Sequence, residues 1–272
     1  MKYTAKLTKK LLHSSITLEE FHTLLEDADT FFDSVELETE LLISNGFPIE
    51  FIDNRVYLKT NESKIEDQVF CIVDIETNGG NPKKGQIIEI AAIKLKNGKI
   101  IDEYESLVYA KTIPDKVQEI TGITPRMLDS APELETVLEE FKIFLEDDVF
   151  VAHSVNFDYG FINDSLKLKN MGELCNRKLC TIDLAKRTIA SHKYGLSTLK
   201  KLLNIESLMH HRAYYDVLST VSVFNESLRN LDSSIDTTEK LIEFSKKGES
   251  LEIKLELPKE QDNNEKCDKT KV

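Results

Sequence analysis

Apolar and polar positions along the chain divide it into short runs with distinct periods. Val69-Phe70-Cys71-Ile72-Val73 is continuously apolar and runs straight into Asp74, with Glu76 two positions later and Thr77-Asn78-Gly79-Gly80 closing the stretch. A short apolar run ended by turn residues predicts a strand buried on both faces. Two further runs, Gln86 to Leu95 and Lys99 to Tyr109, flank Asn97-Gly98. Asn-Gly between apolar-rich segments signals a hairpin, so the first three strands are expected to be consecutive and antiparallel. Helices are expected near Asp115 to Thr121, stopping at Gly122, and over Glu133 to Leu145. In the second, Leu134, Val137, Leu138, Phe141, Phe144 and Leu145 recur at helical spacing. Val149-Phe150-Val151-Ala152 predicts a fourth buried strand, followed by a helix from Phe157 to Leu168. Thr181 to Ile189, Ser197 to Leu203 and Ala213 to Leu231 complete the pattern as helices. Antiparallel strands followed by alternating helices and strands predict an α/β fold, a mixed sheet with helices on its faces.

The flanks differ from this core. In residues 1–66, Thr17-Leu18-Glu19-Glu20 has the form of a capping box, and a second helix fits Val35 to Ser44 with Gly46 just beyond it. Ile49-Glu50-Phe51-Ile52 and Arg55-Val56-Tyr57-Leu58 flank Asp53-Asn54 as a short hairpin. Two helices and a hairpin read either as a small winged-helix-like module or as an irregular extension packed on the main domain. Asn61 to Asp67 is polar and reads as a linker. From residue 232 the chain becomes an extension, with one helix expected over Thr238 to Lys246 and a charged, disordered tail from Gln261 to Val272. The expected organisation is therefore 1–66, 67–231 and 232–272.

Composition narrows the function. The net charge of −13 over 272 residues argues against binding nucleic acid through bulk positive charge, but leaves room for a local basic groove. Cysteines at 71, 175, 180 and 267 show neither metal-ligand spacing nor a disulfide framework. No stretch reads as a signal peptide or a membrane span, so a cytoplasmic location is expected.

The candidate chemistry begins with Asp74 and Glu76. Alternation along a strand points both carboxylates to one side, where they repel each other and resist desolvation. A divalent cation would relieve both effects, and oxygen ligands suit magnesium or manganese. Ordinary surface acids at a strand end would look the same in sequence. A third acid, Asp158, lies in Val151-Ala152-His153-Ser154-Val155-Asn156-Phe157-Asp158, where it could equally complement a helix dipole. A fourth, Asp216, follows His211 by five positions in His210-His211-Arg212-Ala213-Tyr214-Tyr215-Asp216. Residues five apart do not share a helical face. If both act on one centre, His211 must lie on a loop and Asp216 on the helix.

As an ordered set these motifs resemble the DEDD superfamily of 3′–5′ exonucleases, and the His spacing resembles its DEDDh branch. The proofreading, epsilon-type exonucleases of bacterial replicative polymerases are the nearest likeness. Thr121-Gly122-Ile123-Thr124, Thr181-Ile182-Asp183-Leu184-Ala185 and Leu196-Ser197-Thr198-Leu199-Lys200 support it. The resemblance covers roughly Val69 to Leu231. It implies a ribonuclease H-like sheet and two Mg2+ or Mn2+ ions, with Asp74 bridging them. Glu76 and Asp216 would complete the water-activating site, Asp158 would hold the second ion, and His211 would be the general base. Thr77, Asn78, His153, Asn156 and Phe157 are expected to meet substrate. The implied substrate is a DNA 3′ end and the implied partner a DNA polymerase catalytic subunit. RNA, DNA-repair substrates and a non-catalytic adaptor role remain alternatives. The family usually places Asn directly after the His of the second motif, where this chain has Ser154.

Overall fold

The computed structural model describes residues 3–28, 30, 34–206 and 211–251. The charged tail Gln261 to Val272, Cys267, Asp29, Asp33 and His210 fall outside the described residues.

The amino-terminal part comprises α1 (Thr4–Leu11), β1 (Ile16–Thr17), α2 (Leu18–Glu26), α3 (Val35–Ser44), β2 (Ile49–Ile52), β3 (Arg55–Leu58) and α4 (Lys59–Glu62). Thr17 caps α2 by accepting from the Glu20 amide, while the Glu20 carboxylate accepts from the Thr17 amide, so the capping box forms. The three strands pair antiparallel in the order β1-β3-β2. Leu7, Leu11, Phe21, Leu25, Leu42, Phe47 and Val56 bury a core of their own. Helix α1 was not expected from sequence, because its eight residues hold only two well-buried apolar positions, Leu7 and Leu11.

The main sheet is β4 (Val69–Thr77), β5 (Ile87–Lys96), β6 (Lys99–Leu107), β7 (Val149–Ala152) and β8 (Lys178–Cys180), ordered β6-β5-β4-β7-β8. β4, β5 and β6 are antiparallel, and β7 and β8 run parallel to β4. Asn97 and Gly98 both adopt positive φ at the β5–β6 turn, the conformation that Asn-Gly favours. Around the sheet lie α5 (Asp115–Thr121), α6 (Pro125–Leu128), α7 (Leu134–Leu145), α8 (Val155–Leu168), α9 (Thr181–Thr188), α10 (Leu196–Leu202), α11 (Ala213–Arg229) and α12 (Thr238–Lys247). Odd-numbered β4 residues, Cys71, Val73 and Ile75, pack with α7 and α8. Even-numbered ones, Phe70 and Ile72, pack with α9, α11 and α12. The sheet thus separates two apolar layers, as a buried strand requires. The fold is the expected mixed α/β arrangement.

The flanks are more tightly joined to this core than their polarity suggests. Helix α12 buries Leu241 and Ile242 in the layer behind Phe70 and Ile72. Its Glu239 is buried and bound by Thr60 and Arg177, so one carboxylate ties α4, β8's approach and α12 together. The stretch expected as a linker instead winds into α4 and then bridges to α12, with the Thr238 amide donating to the Ser63 carbonyl and Lys64 pairing with Thr237. Polar composition concealed this because the bonds use backbone and hydroxyl groups.

Burial of α12 makes a stability prediction. Leu241→Ala should lower the free energy of unfolding by about 2–4 kcal/mol, since a fully enclosed leucine leaves a cavity behind. Urea denaturation measures this. A loss below about 1 kcal/mol would mean that α12 is peripheral.

Candidate active site

Asp74 and Glu76 have the same parity on β4 as Phe70 and Ile72, so they continue the face that looks toward α11. At the end of the strand the apolar layer gives way to acids, Asp74 and Glu76, which are both partly exposed. Asp74 sits opposite the small Ala91 of β5, and Glu76 opposite Glu89, just before a register shift between Glu76 and Thr77. A bulge at this point re-aims the strand's last side chains.

Helix α11 brings Asp216 in its first turn, while His211 lies on the preceding bend at φ 57. Left-handed backbone is tolerated by His better than by most side chains. Ligand atoms of Glu76, His211 and Asp216 all lie within 4.8 Å of one another. Asp158 enters from the first turn of α8 and accepts from its own amide and that of Ile75.

Electrostatics mark the crowding. Burial, then the charges of Asp158, Glu76, Asp216 and Glu89, push Asp74 well above the usual carboxylate range. Asp74 and Glu76 nonetheless stay partly open to solvent. Burial first, then Glu89, Asp216 and Asp158, raise Glu76 to about 8, with Arg212 opposing. Burial raises Asp158 to about 7 against its two amide donors. Burial is the first cause of each shift, and at Asp74 and Glu76 the charges of neighbouring carboxylates add to it.

Two residues not singled out in the sequence hold this geometry. Glu89 is 0% exposed, yet its carboxylate accepts from Arg212 Nε and Nη2 at 2.8 and 2.6 Å and from the Ala213 amide at 2.8 Å. It therefore fixes the start of α11 and the bend carrying His211. Lys200 of α10 is 5% exposed, with Nζ 3.7 Å from Asp216 Oδ1. Glu89 lies between Ile88 and Ile90 in the apolar first half of β5, and that is the signal that could have found it: a lone acid at an interior-strand position demands a partner.

The expected substrate residues divide. Phe157 is 45% exposed on the first turn of α8, its ring tilted against Phe161 at 5.9 Å. Thr77 donates to the Gly79 carbonyl. Asn78 braces the loop after β4, its amide and side chain bonded to Gln86 and its Nδ2 to the Thr112 carbonyl. That loop doubles back so tightly that a Cβ on Gly85 would lie 2.6 Å from Gly79 Cα. His153 follows β7 directly, with Nδ1 2.9 Å from Thr181 Oγ1, and burial lowers its pKa to about 4. Asn156 points outward and accepts from Lys178 Nζ at 3.2 Å. Ser154, directly after His153, has φ 87 and ψ 52, left-handed backbone that Asn adopts more readily than Ser.

A mixed sheet with acids converging from β4, α8 and α11 defines a nuclease-type site, and comparison with known sequences assigns the family. Residues 71–224 match the family model described as Exonuclease (RNase T), and the chain belongs to that family. DNA polymerase III PolC-type from Halalkalibacterium halodurans is 39% identical over 181 residues, covering 64% of this chain and 12% of that protein. This chain therefore spans a small part of the curated relatives it matches. Among solved structures, Exonuclease X in complex with 5′ overhanging duplex DNA aligns with TM-score 0.50 and 24% identity, over 65% of this chain and 99% of that one. E. coli Exonuclease I in complex with a dA16 oligonucleotide aligns with TM-score 0.56 and 17% identity, over 65% and 43%.

Two predictions arise from the site. Glu89→Gln strips Arg212 of its buried partner and should cost about 3–5 kcal/mol. Hydrogen exchange should show amides 211–216 opening more than the β5 amides; uniform opening would deny Glu89 its pinning role. For His153, the imidazole should remain neutral on acidification from pH 8 to 5, because burial disfavours its charged form. Its NMR shifts should move only near pH 4. The unfolded chain takes up this proton near 6.5, so between those values acidification favours unfolding at this residue. A midpoint above 6 would contradict its burial.

Proposed function

We propose that this chain is a 3′–5′ exonuclease that removes nucleotides from DNA ends by divalent-metal-assisted hydrolysis. The observation that carries the reading is the convergence of Glu76, His211 and Asp216 ligand atoms within 4.8 Å, with Asp74 and Asp158 beside them. The donor set fits Mg2+ or Mn2+. All four acids offer hard oxygen ligands. Arg212 is engaged with Glu89, and Lys200 sets one positive charge against four carboxylates. The remaining repulsion is what a bound dication would relieve.

In this reading Asp74, Glu76, Asp158 and Asp216 hold the metal. When bound, it lowers the pKa of water and stabilises charge on the attacking and leaving oxygens. The protein's own groups do the rest. His211, exposed on its bend, takes the proton from the attacking water. Phe157 offers a face on which the terminal base stacks. Neutral His153 adds a polar contact without adding charge. The loop braced by Asn78 presents Thr77 at the strand end.

The likeness to PolC-type polymerases supports a role in proofreading beside a polymerase subunit. Residues 3–58 are read as an interaction module, since the order α1-β1-α2-α3-β2-β3 with sheet order β1-β3-β2 follows winged-helix topology. Between Ser14 and Asn54 the chain has no Lys or Arg. A protein partner therefore suits this module better than a phosphate backbone.

The test pairs stability with activity. In EDTA, Asp74→Asn should melt above the unaltered chain, because one of the crowded charges is gone. Mn2+ should raise the melting temperature of the unaltered chain and barely move that of the variant, whose nuclease rate should be abolished. His211→Ala should lose about 10²–10⁴ in rate while keeping most of the Mn2+ shift. His210→Ala serves as the neighbouring control. A 3′-terminal phosphorothioate on a 5′-labelled primer should block digestion. Digestion of that blocked end, or full activity in Asp74→Asn, would sink the proposal.

A further inference from the structure

Substrate must reach an acidic site on a chain of net charge −13. The attraction has to be local, and one cleft has that character. Ala190, Ser191, His192, Lys193, Ser197, Thr198, Lys201 and Leu202 line a cleft of about 630 Å³ without one carboxylate among them.

Helix α10 carries residues of both the cleft and the acid cluster. Lys200 of this helix turns inward to Asp216, while Ser197 and Lys201, one turn apart, face the cleft. The loop between α9 and α10 is firmly held. Tyr194 is buried, its hydroxyl donating to the Ile189 carbonyl at 2.9 Å and accepting from the Ser191 amide at 3.3 Å. Ser191 Oγ donates to the Lys193 carbonyl at 2.7 Å. This folds the loop so that His192 and Lys193 stay exposed. Neither they nor Lys201 forms an ion pair with another described residue. What sets the cleft apart is its lining, which places Lys193 and Lys201 beside the hydroxyls of Ser191, Ser197 and Thr198 with no carboxylate among them, a surface that suits an external anion.

We infer that this cleft is the track for the nucleic-acid strand upstream of the scissile end, with Lys193, Lys201 and His192 meeting successive phosphates. The inference rests on the nuclease reading above and deepens it. A single strand is the occupant because the terminal nucleotide of the reaction proposed above is continuous with the strand behind it, and the lining offers charge and hydroxyls that suit that strand's phosphates. Contacts of this kind raise affinity with strand length and weaken with salt. They leave the chemistry at the terminal phosphodiester unchanged.

The experiment measures binding and turnover separately on the full chain. Fluorescence anisotropy with a labelled single-stranded 12-mer, uncleavable through phosphorothioate linkages, reports the track. Lys193→Ala/Lys201→Ala should weaken binding at least tenfold, for DNA and RNA 12-mers alike because phosphates are read. It should also reduce the slope of log affinity against log salt by about 0.7 per lysine removed. Lys193→Arg/Lys201→Arg should restore both. Hydrolysis of thymidine 5′-monophosphate p-nitrophenyl ester, too short to reach the cleft, reports the catalytic centre by itself. Unchanged 12-mer affinity and salt slope in the alanine variant overturn the track, whatever the ester shows. Failure of the unaltered chain to hydrolyse the ester counts against the nuclease reading instead, and the anisotropy result still decides the cleft.

Discussion

Carboxylate repulsion at the end of β4 is the constraint to which the rest of the structure answers. Asp74, Glu76, Asp158 and Asp216 come from three elements, and each raises or is raised by its neighbours. No local propensity would assemble them. The flanking apolar layers do so, because Phe70 and Ile72 on one face and Val73 and Ile75 on the other fix β4 between α11 and α8. Hydrophobic burial of this extent stabilises by tens of kcal/mol in sum, while the net stability of a domain is about 5–15 kcal/mol. A site built from mutually repelling charges therefore draws on a substantial part of that margin, which is why its supports are buried and rigid.

Glu89 shows how the repulsion is managed. Placing a fifth carboxylate opposite Glu76 looks counterproductive, and its charge is the second cause of the upward shift at Glu76. Yet both oxygens of Glu89 are engaged, Oε1 by Arg212 and Oε2 by the Ala213 amide. The pair converts a potential liability into the anchor that sets α11 against the sheet. An apolar residue there would reduce the crowding but leave Arg212 and the helix's first amide without their buried acceptor. Position of His211 and Asp216 is thus coupled to a residue that touches neither.

Legibility in the sequence followed the range of the interaction. Strand β4, the Asn97-Gly98 hairpin, the stop of α5 at Gly122 and the apolar stripe of α7 are local patterns, and the structure has them within a residue or two. Spacing alone also required His211 to sit on a bend and Asp216 on a helix, which is how they lie. What spacing could not supply was any pairing between distant polar groups. Glu89 with Arg212, Lys200 with Asp216, and Glu239 with Thr60 and Arg177 each link residues across layers. Polar composition therefore made 61–67 look like a tether and α12 like an appendage.

Charge segregation connects the site to the rest of the chain. Acids dominate the amino-terminal module, where Glu36, Glu40, Glu50 and Asp53 are exposed, whereas the cleft beside α10 is lined without one. Within a Debye length of about 8 Å at physiological salt, an approaching strand senses the nearest charges and little of the distant total. A net charge of −13 then repels polyanions from most of the surface while leaving one approach open. In the nuclease reading proposed above, such an arrangement would keep duplex DNA from being trapped along the flanks. In that same reading, weak affinity elsewhere would raise the share of encounters that begin at the cleft and end with a terminal phosphodiester against Glu76, His211 and Asp216.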